Sequence, residues 1–317
     1  MAGTFRTRQW LIDNYLSRDR KEYNDDLIKS LGLGAAFIGD SSVFYVDPTN
    51  GSDTANDGQS PTEAYATLQK AINQCTANKG DVIVRMQGTE TITTAINVNK
   101  AGIMIVGMAY GQNPWQPEKF STYPSGAMTG PSMIVSQPCT ILGLEVVGRN
   151  LVPGYIDDMS TSGAAVAILG EGGGYTGGFM ELGYCRFVDW WGNAYGVEFG
   201  AGAYNYIHHC VFEGYDAGVY FRSTTSNNPD HNQIHTNRFI DCVNGIEHRA
   251  GSAPHNFDYF DNYFVDISGA SIDTTGGLGD GLIRGNWYET AAGATYDAAV
   301  AVLQAAGINF CGNNYTE

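Results

Sequence analysis

The 317-residue sequence has little positive charge, with 17 Lys and Arg against 33 Asp and Glu and a formal net charge of −16. A chain this acidic repels phosphate backbones, so we expect no nucleic-acid partner. No run of about 18 apolar residues is present, so we expect no membrane-spanning helix. The six cysteines form no C-x-x-C pair, which argues against zinc-ribbon and thioredoxin-like sites.

The first residues also lack the apolar segment of about 7–15 residues that marks a secretory signal peptide. We therefore expect synthesis and folding in a cytoplasm, with the cysteines as buried thiols. Proline is scarce at 10 residues, whereas 41 residues are Gly, 14 are Phe and 19 are Tyr. Gly has no triplet period, which excludes collagen, and an apolar content of 43% excludes bulk disorder. This composition predicts a chain that turns often around a covered surface.

The amino-terminal region differs in charge from the remainder of the chain. Residues 1–40 carry six basic and six acidic side chains, so all the net negative charge lies in the rest. Apolar residues such as Trp10 and Leu27 are spaced as in helices over residues 7–31, and Gly32 and Gly34 follow. We predict a helical arm over residues 1–40 that serves either assembly or simple packing.

Residues 41–80 predict a cap of one strand, one turn region and one helix. The turn region holds Asp-Pro, Asn-Gly and Asp-Gly pairs between residues 47 and 58. Ser60-Pro61-Thr62-Glu63 is a capping box, and apolar residues follow it at helical spacing: Ala64, Leu68, Ala71, Ile72 and Cys75. This pattern predicts a short amphipathic helix that covers the open end of a stack of strands.

The same turn partly matches a calcium-binding loop. Asp53, Asp57 and Gly58 have the required spacing, but Ala55 and Ala64 occupy two ligand positions. An ordinary turn stabilised by Asp side chains is the better interpretation.

The strongest signal is an aromatic residue that recurs every 24 to 27 residues in the second half of the chain: Phe187, Phe212, Phe239, Phe264, Tyr288 and Tyr315. Two positions before each aromatic lies a Cys or Asn: Cys185, Cys210, Asn237, Asn262, Asn286 and Asn313. Repeats of this length indicate a solenoid. Short β-branched and aromatic segments separated by Gly and Asn predict a parallel β-helix over residues 81–317, with coils about 4.8 Å apart.

In this β-helix we expect the aromatics to form an interior ladder. The Asn residues suit left-handed bends, and their amides suit hydrogen bonds between coils. Gly belongs largely at bends and loops. Residues 108–180 repeat poorly, which predicts loops at 112–125 and 170–178.

One row of outward-facing side chains is a candidate catalytic site. Glu198, Tyr220 and Glu247 share one position in consecutive coils, so the two carboxylates would lie about 9.6 Å apart, near the upper limit for an inverting glycosidase. Arg222 and Arg249 stand two positions beyond Tyr220 and Glu247, where they would hold an acidic sugar.

A second candidate row consists of Asp189, Asp241 and Asp266. Asp241 and Asp266 would lie about 5 Å apart, as in a retaining glycosidase. Every coil of a β-helix needs outward polar residues, so both rows also arise without any function.

Two further groups of side chains are candidate binding sites. Trp190 and Trp191, together with Tyr220, would provide stacking surfaces for a glycan. His208 and His235 share a phase and would stack, but no third metal ligand is evident, so we expect no metal or other cofactor.

Residues 43–107 resemble the opening of the pectate-lyase-like superfamily of right-handed parallel β-helices. The resemblance rests on two stretches, FYVDPTNGSDTANDGQSPTEAYATLQKAI and GDVIVRMQGTETITTAINVNKAGIMIVG. It implies an all-β fold, namely a right-handed, single-stranded parallel β-helix with an N-terminal helical segment and a capping helix. The superfamily includes lyases, hydrolases, epimerases and non-enzymatic phage spikes and decoration proteins, so the resemblance predicts fold more strongly than function.

Three functions remain open. The first is a phage virion structural protein, a capsid decoration or spike on the virion surface, with capsid or tail proteins as partners. The missing signal peptide fits synthesis in the host cytoplasm, and the resemblance implies a homotrimer. The second is a tailspike depolymerase that cleaves host surface polysaccharide. The third is a non-catalytic glycan-binding module. The superfamily's calcium-binding Asp set with its Arg base and its Asn-x-Asp, Asp-Asp and Gly-His-Gly series are absent, which favours the first.

Overall fold

The structure is a computed structural model. It describes the following residues: 41–107, 121–125, 128, 130–148, 166–168, 179–189, 195–200, 203–222, 230–249, 254–274, 281–289, 309–310 and 315–316. The helical arm predicted for residues 1–40 lies outside this part of the chain.

The described residues form a parallel β-helix built from three sheets, in which every paired strand runs parallel to its neighbours. Sheet A has ten strands: β1 Val43–Val46, β2 Val82–Arg85, β5 Ile103–Gly107, β8 Cys139–Leu142, β11 Glu181–Gly183, β14 Tyr206–His208, β17 Gln233–His235, β20 Phe257–Phe260, β23 Gly281–Arg284 and β25 Asn309–Phe310. Sheet B has nine: β3 Glu90–Ile92, β6 Ser121–Pro124, β9 Glu145–Val147, β12 Arg186–Val188, β15 Val211–Glu213, β18 Arg238–Ile240, β21 Tyr263–Val265, β24 Trp287–Glu289 and β26 Tyr315–Thr316. Sheet C has seven: β4 Ile96–Val98, β7 Met133–Val135, β10 Val166–Ile168, β13 Tyr195–Phe199, β16 Ala217–Phe221, β19 Asn244–His248 and β22 Ile272–Asp273.

In successive coils the chain passes from sheet A to sheet B and then to sheet C. Strands β11 to β22 follow this order for four full coils, and inward-facing apolar side chains of all three sheets form one continuous core. A smaller second cluster lies on the other face of sheet A: Tyr45, Ala64, Val82, Val84 and Val106. The predicted solenoid is therefore confirmed, and the repeat of about 25 residues corresponds to one coil.

In the described bends between sheets A and B from residue 143 to residue 285, one residue has a left-handed backbone, but this residue is not the Asn. The positive φ belongs to the residue before it: Gly143, Tyr184, His209, Thr236, Asp261 and Gly285. The expectation that Asn supplies the left-handed backbone is therefore wrong. Asn237, Asn262 and Asn286 are instead buried beneath the bend.

The buried amides form a hydrogen-bonded ladder along the axis. The backbone N–H of Asn237 donates to Asn262 Oδ1 at 3.1 Å, and the N–H of Asn262 donates to Asn286 Oδ1 at 2.9 Å. Each Asn Nδ2 also donates to a strand carbonyl, as Asn262 does to Ile234 at 2.8 Å. The predicted bonds between coils are confirmed, and they satisfy backbone groups that the bend leaves without sheet partners.

The aromatic ladder fills the core beneath sheet B. Rings of Phe187, Phe212, Phe239 and Phe264 stack with centroids 4.9 Å apart, and Tyr288 continues the stack at 5.3 Å. Thr316, and not Tyr315, pairs with Tyr288. The prediction for Tyr315 is therefore off by one position in the register of the strand pair.

Several glycines make room for this ladder instead of forming bends. Gly196, Gly218 and Gly245 lie in strands of sheet C, and a Cβ on Gly218 would stand 2.4 Å from Phe239 Cδ1. Part of the glycine excess, which the sequence assigned to bends and loops, therefore belongs to the core.

The cap differs from the prediction in its helix. Ser60 caps a 3₁₀ turn, Pro61–Glu63, and the helix α1 begins only at Leu68 (Leu68–Gln74), with Thr67 as its N-cap. Ala64 lies outside the helix because Tyr65 forms a parallel bridge with Val46. Apolar residues of α1 join the main core, so the helix covers the first coils as expected.

One predicted loop contains a strand, and the predicted thiols are present. Strand β6 lies within residues 112–125, where a loop was expected, and pairs with β3 and β9. The described cysteines are buried free thiols, as predicted: Cys75, Cys139, Cys185, Cys210 and Cys242. No helix in the described ranges is long and apolar enough to cross a membrane.

Candidate functional site

The first candidate row lies on the outer face of sheet C. Glu198 pairs with Tyr220, Tyr220 pairs with Glu247, and Asp273 extends the row by one coil. The predicted register is therefore confirmed. The alternating neighbours Val197 and Phe199 are in the core, so the row faces outward.

The Glu198 carboxylate faces outward but is buried. Its residue is only 2% exposed, and the Arg222 guanidinium lies 3.4 Å from its Oε1. Arg222 is itself 9% exposed. The two side chains form a buried ion pair, so Arg222 neutralises Glu198 within the protein.

A pair of tyrosines covers the middle of the row. The rings of Tyr195 and Tyr220 are parallel, with centroids 4.0 Å apart. Tyr195 is paired with the small residue Ala217, and its ring therefore has space to extend over the next coil to Tyr220. Burial raises the pKa of both phenols, so both remain protonated hydrogen-bond donors at neutral pH. Tyr220 is 5% exposed and one ring face is occupied, which leaves little of it for stacking on a glycan.

Glu247 is the more accessible carboxylate of the row. Asn244 Nδ2 donates to its Oε2 at 2.8 Å. Burial raises the pKa of Glu247 above its usual value, and nearby Asp273 and Asp216 raise it further, whereas the Asn244 bond and Arg249 act in the opposite direction. A carboxylic acid in this state resembles a general acid more closely than the ion-paired Glu198 does.

The second candidate row lies at the bend between sheets B and C. Asp241 and Asp266 are exposed and share one position in adjacent coils, where Gly214 takes the same place in the coil before them. All three residues have a positive φ. Asp189 takes the same position in the coil before Gly214 but is buried, so the row does not present three equivalent aspartates. Short polar residues are typical of left-handed bends, and their conformation accounts for these aspartates without catalysis.

Of the remaining predicted residues, Arg249 is partly exposed beyond the end of β19. Trp190 and Trp191 lie outside the described residues.

In the cap, Asp53 accepts hydrogen bonds from the Thr67 N–H at 3.1 Å and the Thr67 hydroxyl at 2.6 Å. Asp53 therefore connects the turn region to the start of α1. The local turn bonds that the sequence predicted are made by its neighbours: Asp47 accepts from the N–H groups of Thr49 and Asn50, and Asp57 accepts from the N–H of Gln59. Within the described ranges no group of three or more His, Cys, Asp or Glu is arranged to hold a metal ion.

A cluster of imidazoles lies on the outer face of sheet A. The rings of His208 and His235 stack with centroids 5.4 Å apart, as their shared phase predicts. His208 is also bound on both ring nitrogens, by Glu181 at 3.0 Å and by His209 at 3.1 Å. Sequence reasoning missed His209 and Glu181 because it compared only residues of equal phase. The adjacent His-His pair just before a Cys of the ladder was the available signal.

Comparisons with known proteins support the fold. No protein-family model matches the sequence, and no curated protein matches it. Seven solved chains match in structure. A rhamnogalacturonan lyase is similar with a TM-score of 0.53 and 16% identity, over 80% of this chain and 69% of that one.

Two other solved structures are more distant. A pectin methylesterase from Aspergillus niger has a TM-score of 0.42 and 12% identity, over 88% of this chain and 86% of that one. Geobacillus virus E2 ORF18 has a TM-score of 0.35 and 12% identity, over 95% of this chain and 66% of that one. At these identities the likeness to the lyase concerns the fold alone.

Proposed function

We propose that this parallel β-helix is a structural protein of a bacteriophage particle, a capsid decoration or a spike that stands on the particle surface as a homotrimer. One observation carries the proposal: charged side chains on the outer faces are engaged with one another across coils. A surface built this way stiffens a rod.

The cross-coil pairs occur on all three faces. Arg186 of sheet B lies between Glu145 of the preceding coil, at 2.9 Å, and Glu213 of the next, at 2.7 Å. Arg284 of sheet A contacts Asp258 at 2.7 Å. Together with the Glu198–Arg222 pair of sheet C, these contacts connect neighbouring coils and support a structural role.

The proposed partners are two further copies of this chain and a capsid or tail protein. The net charge of −16 argues against nucleic acid. In this proposal the nearly neutral arm of residues 1–40 attaches the acidic rod to its neighbour in the particle.

The test is quantitative mass spectrometry of purified particles from the phage whose genome encodes the chain. We expect the chain in intact particles, with many copies for a capsid decoration and few for a tail spike. Its complete absence from particles that contain the expected capsid and tail proteins would overturn the proposal.

A polysaccharide depolymerase is the second candidate, and the environment of Glu247 favours it. A half-buried acid with a raised pKa, held by Asn244 beside Arg249 and Tyr220, has the features of a general acid that acts near an acidic sugar. The matched test is depolymerisation of host capsular polysaccharide by the wild type, Glu247→Gln and the exposed control Glu289→Gln. Loss of activity only in Glu247→Gln would favour the enzyme, whereas binding without product release would favour a glycan-binding module.

A further inference from the structure

The bend after β14 brings two adjacent imidazoles together. His208 ends the strand, and His209 has a left-handed backbone with φ of 54°. This turn places the two Nδ1 atoms 3.1 Å apart. The next coil repeats the geometry with different chemistry, because His235 Nδ1 lies 3.2 Å from the Thr236 hydroxyl.

Glu181 determines which nitrogen of His208 carries the proton. Its Oε1 lies 3.0 Å from His208 Nε2. An ionised carboxylate only accepts hydrogen bonds, so the proton of neutral His208 resides on Nε2. The lone pair is then on Nδ1 and faces His209. A carboxylate behind an imidazole is the arrangement that orients metal-binding histidines.

Packing holds both rings in place. Tyr184 stacks on His209 with centroids 4.7 Å apart and meets the edge of His208 at 5.5 Å. His208 also lies against Gly183, where a Cβ would stand 2.5 Å from its Cε1. Ring positions fixed before binding reduce the entropy that a ligand must overcome.

The nitrogen separation suits one shared ion. Two imidazole nitrogens bound at about 2.0–2.1 Å lie about 2.9–3.4 Å apart for angles between a right angle and the tetrahedral angle. The observed 3.1 Å falls within that range. His209 also lines a surface groove of about 500 Å³, so solvent reaches this residue.

We propose that His208 and His209 chelate a divalent transition-metal ion through their Nδ1 atoms, with Glu181 as the positioning residue. Two protein ligands make the site exchangeable, with water in the other positions. Affinity follows the general order for nitrogen ligands, so Cu²⁺ binds more tightly than Ni²⁺ or Zn²⁺. Without metal, His209 Nδ1–H donates to His208 Nδ1. On metal binding this proton leaves Nδ1 and the neutral ring carries its proton on Nε2, so that the Nδ1 lone pair can bind the ion. The inference does not depend on the proposed virion role.

The test is Cu²⁺ titration of the tag-free full chain at pH 7.5, followed by calorimetry and by the electron paramagnetic resonance of bound Cu²⁺. His209→Asn removes the imidazole but retains a residue that tolerates left-handed backbone. The matched control is His231→Asn, because His231 is also left-handed, with φ of 51°, but belongs to a different bend.

We expect one nitrogen-ligated Cu²⁺ per chain, at least about tenfold weaker binding in His209→Asn and no change in His231→Asn. Glu181→Gln should weaken binding by about 10–100-fold while the spectrum still reports nitrogen ligands. Thermal unfolding without metal verifies that each variant is folded. Equal Cu²⁺ affinity in the wild type and a folded His209→Asn would overturn the proposed site. An unchanged Cu²⁺ affinity in Glu181→Gln would overturn the positioning role of Glu181.

Discussion

Charged residues on the outer faces of this protein are stabilised by partners in neighbouring coils. Glu198 and Arg222 show the consequence most clearly, since both are nearly inaccessible to water. A buried pair contributes little relative to apolar residues, but either charge alone is costly. The pair therefore constrains the sequence, because neither residue can change independently.

Arg222→Ala should lower the free energy of unfolding by about 3–5 kcal/mol, because it leaves the Glu198 carboxylate buried without its cation. Urea denaturation followed by circular dichroism measures the effect. The double variant Glu198→Met/Arg222→Met is the control and should recover most of the loss. Wild-type stability in Arg222→Ala would contradict the buried-pair interpretation.

Glu181 should make the stability depend on acidic pH. Its hydrogen bond to His208 lowers its pKa in the folded state, so its contribution is present above the ordinary value of 4.5 and is lost as pH falls through the folded pKa. Urea midpoints from pH 7 to pH 3 should therefore fall less steeply in Glu181→Gln than in the wild type.

Glu247→Gln provides the contrast of opposite sign. Burial raises the pKa of Glu247, so its contribution is present below 4.5 and is lost as pH rises through the folded pKa. The change in urea midpoint relative to the wild type should therefore vary with pH in opposite directions in Glu181→Gln and Glu247→Gln. The same direction in both variants would contradict the lowered pKa of Glu181 and the raised pKa of Glu247.

Strands and bends show that each coil depends on the two coils beside it. The aromatic ladder of sheet B and the strand glycines of sheet C are complementary, because Phe212, Phe239 and Phe264 occupy the space that a Cβ on a glycine of the preceding coil would need: Gly196, Gly218 and Gly245 respectively. The Asn ladder has the same dependence through hydrogen bonds. Same-phase residues therefore act as continuous elements that run along the axis.

Gly218→Ala should destabilise the fold by about 1–3 kcal/mol through overpacking, since the new methyl group would clash with Phe239. Phe239→Leu shortens the opposing side chain. In a double-mutant cycle by urea unfolding, the two changes together should cost less than the sum of the single variants. Strict additivity would show that the glycine is not needed for ring clearance.

Asn262→Ala should cost about 1–3 kcal/mol for each buried group left without a partner. The groups that lose a hydrogen bond are the N–H and Nδ2 of Asn237, the carbonyl of Ile234 and Oδ1 of Asn286. Asn262→Cys should cost less, because Cys210 occupies the same position two coils earlier and its thiol donates to a backbone carbonyl. Equal loss in the two variants, measured as thermal midpoints, would contradict this explanation.

At the scale of the whole molecule, the fold is one stack with a capped amino-terminal end and a strongly acidic chain. Each coil buries its core against the next, so unfolding energies combine along the axis as in other repeat proteins. Lateral association of three parallel rods would cover additional surface without changing any coil, and closed symmetry is the usual outcome of such association.

The homotrimer should be visible in solution. Light scattering after size-exclusion chromatography should give about three times the chain mass of 34.2 kDa. Because the rods are acidic, the trimer should become more stable as salt increases from about 0.01 M to 0.15 M, where charge repulsion is screened within about 8 Å. A monomer at all salt and protein concentrations would contradict the trimer.

The sequence by itself determined the coil. The phase of Phe187, Phe212, Phe239 and Phe264 predicted the solenoid, the ladder and the register of Glu198 with Tyr220 and Glu247, because identical positions in stacked parallel strands are necessarily neighbours. Axial neighbours can be read from a period, so everything that depends only on the period was accessible.

The tertiary structure alone decided what meets across a bend or covers a face. Four features depend on the direction of the backbone within one coil. They are the burial of Glu198 by Arg222, the left-handed residue before each Asn, the register of Tyr315 and the contacts of His208 with His209 and Glu181. A sequence period carries no information about that direction. The candidate carboxylates were therefore located by sequence, whereas their partners, accessibility and protonation were determined by the bends.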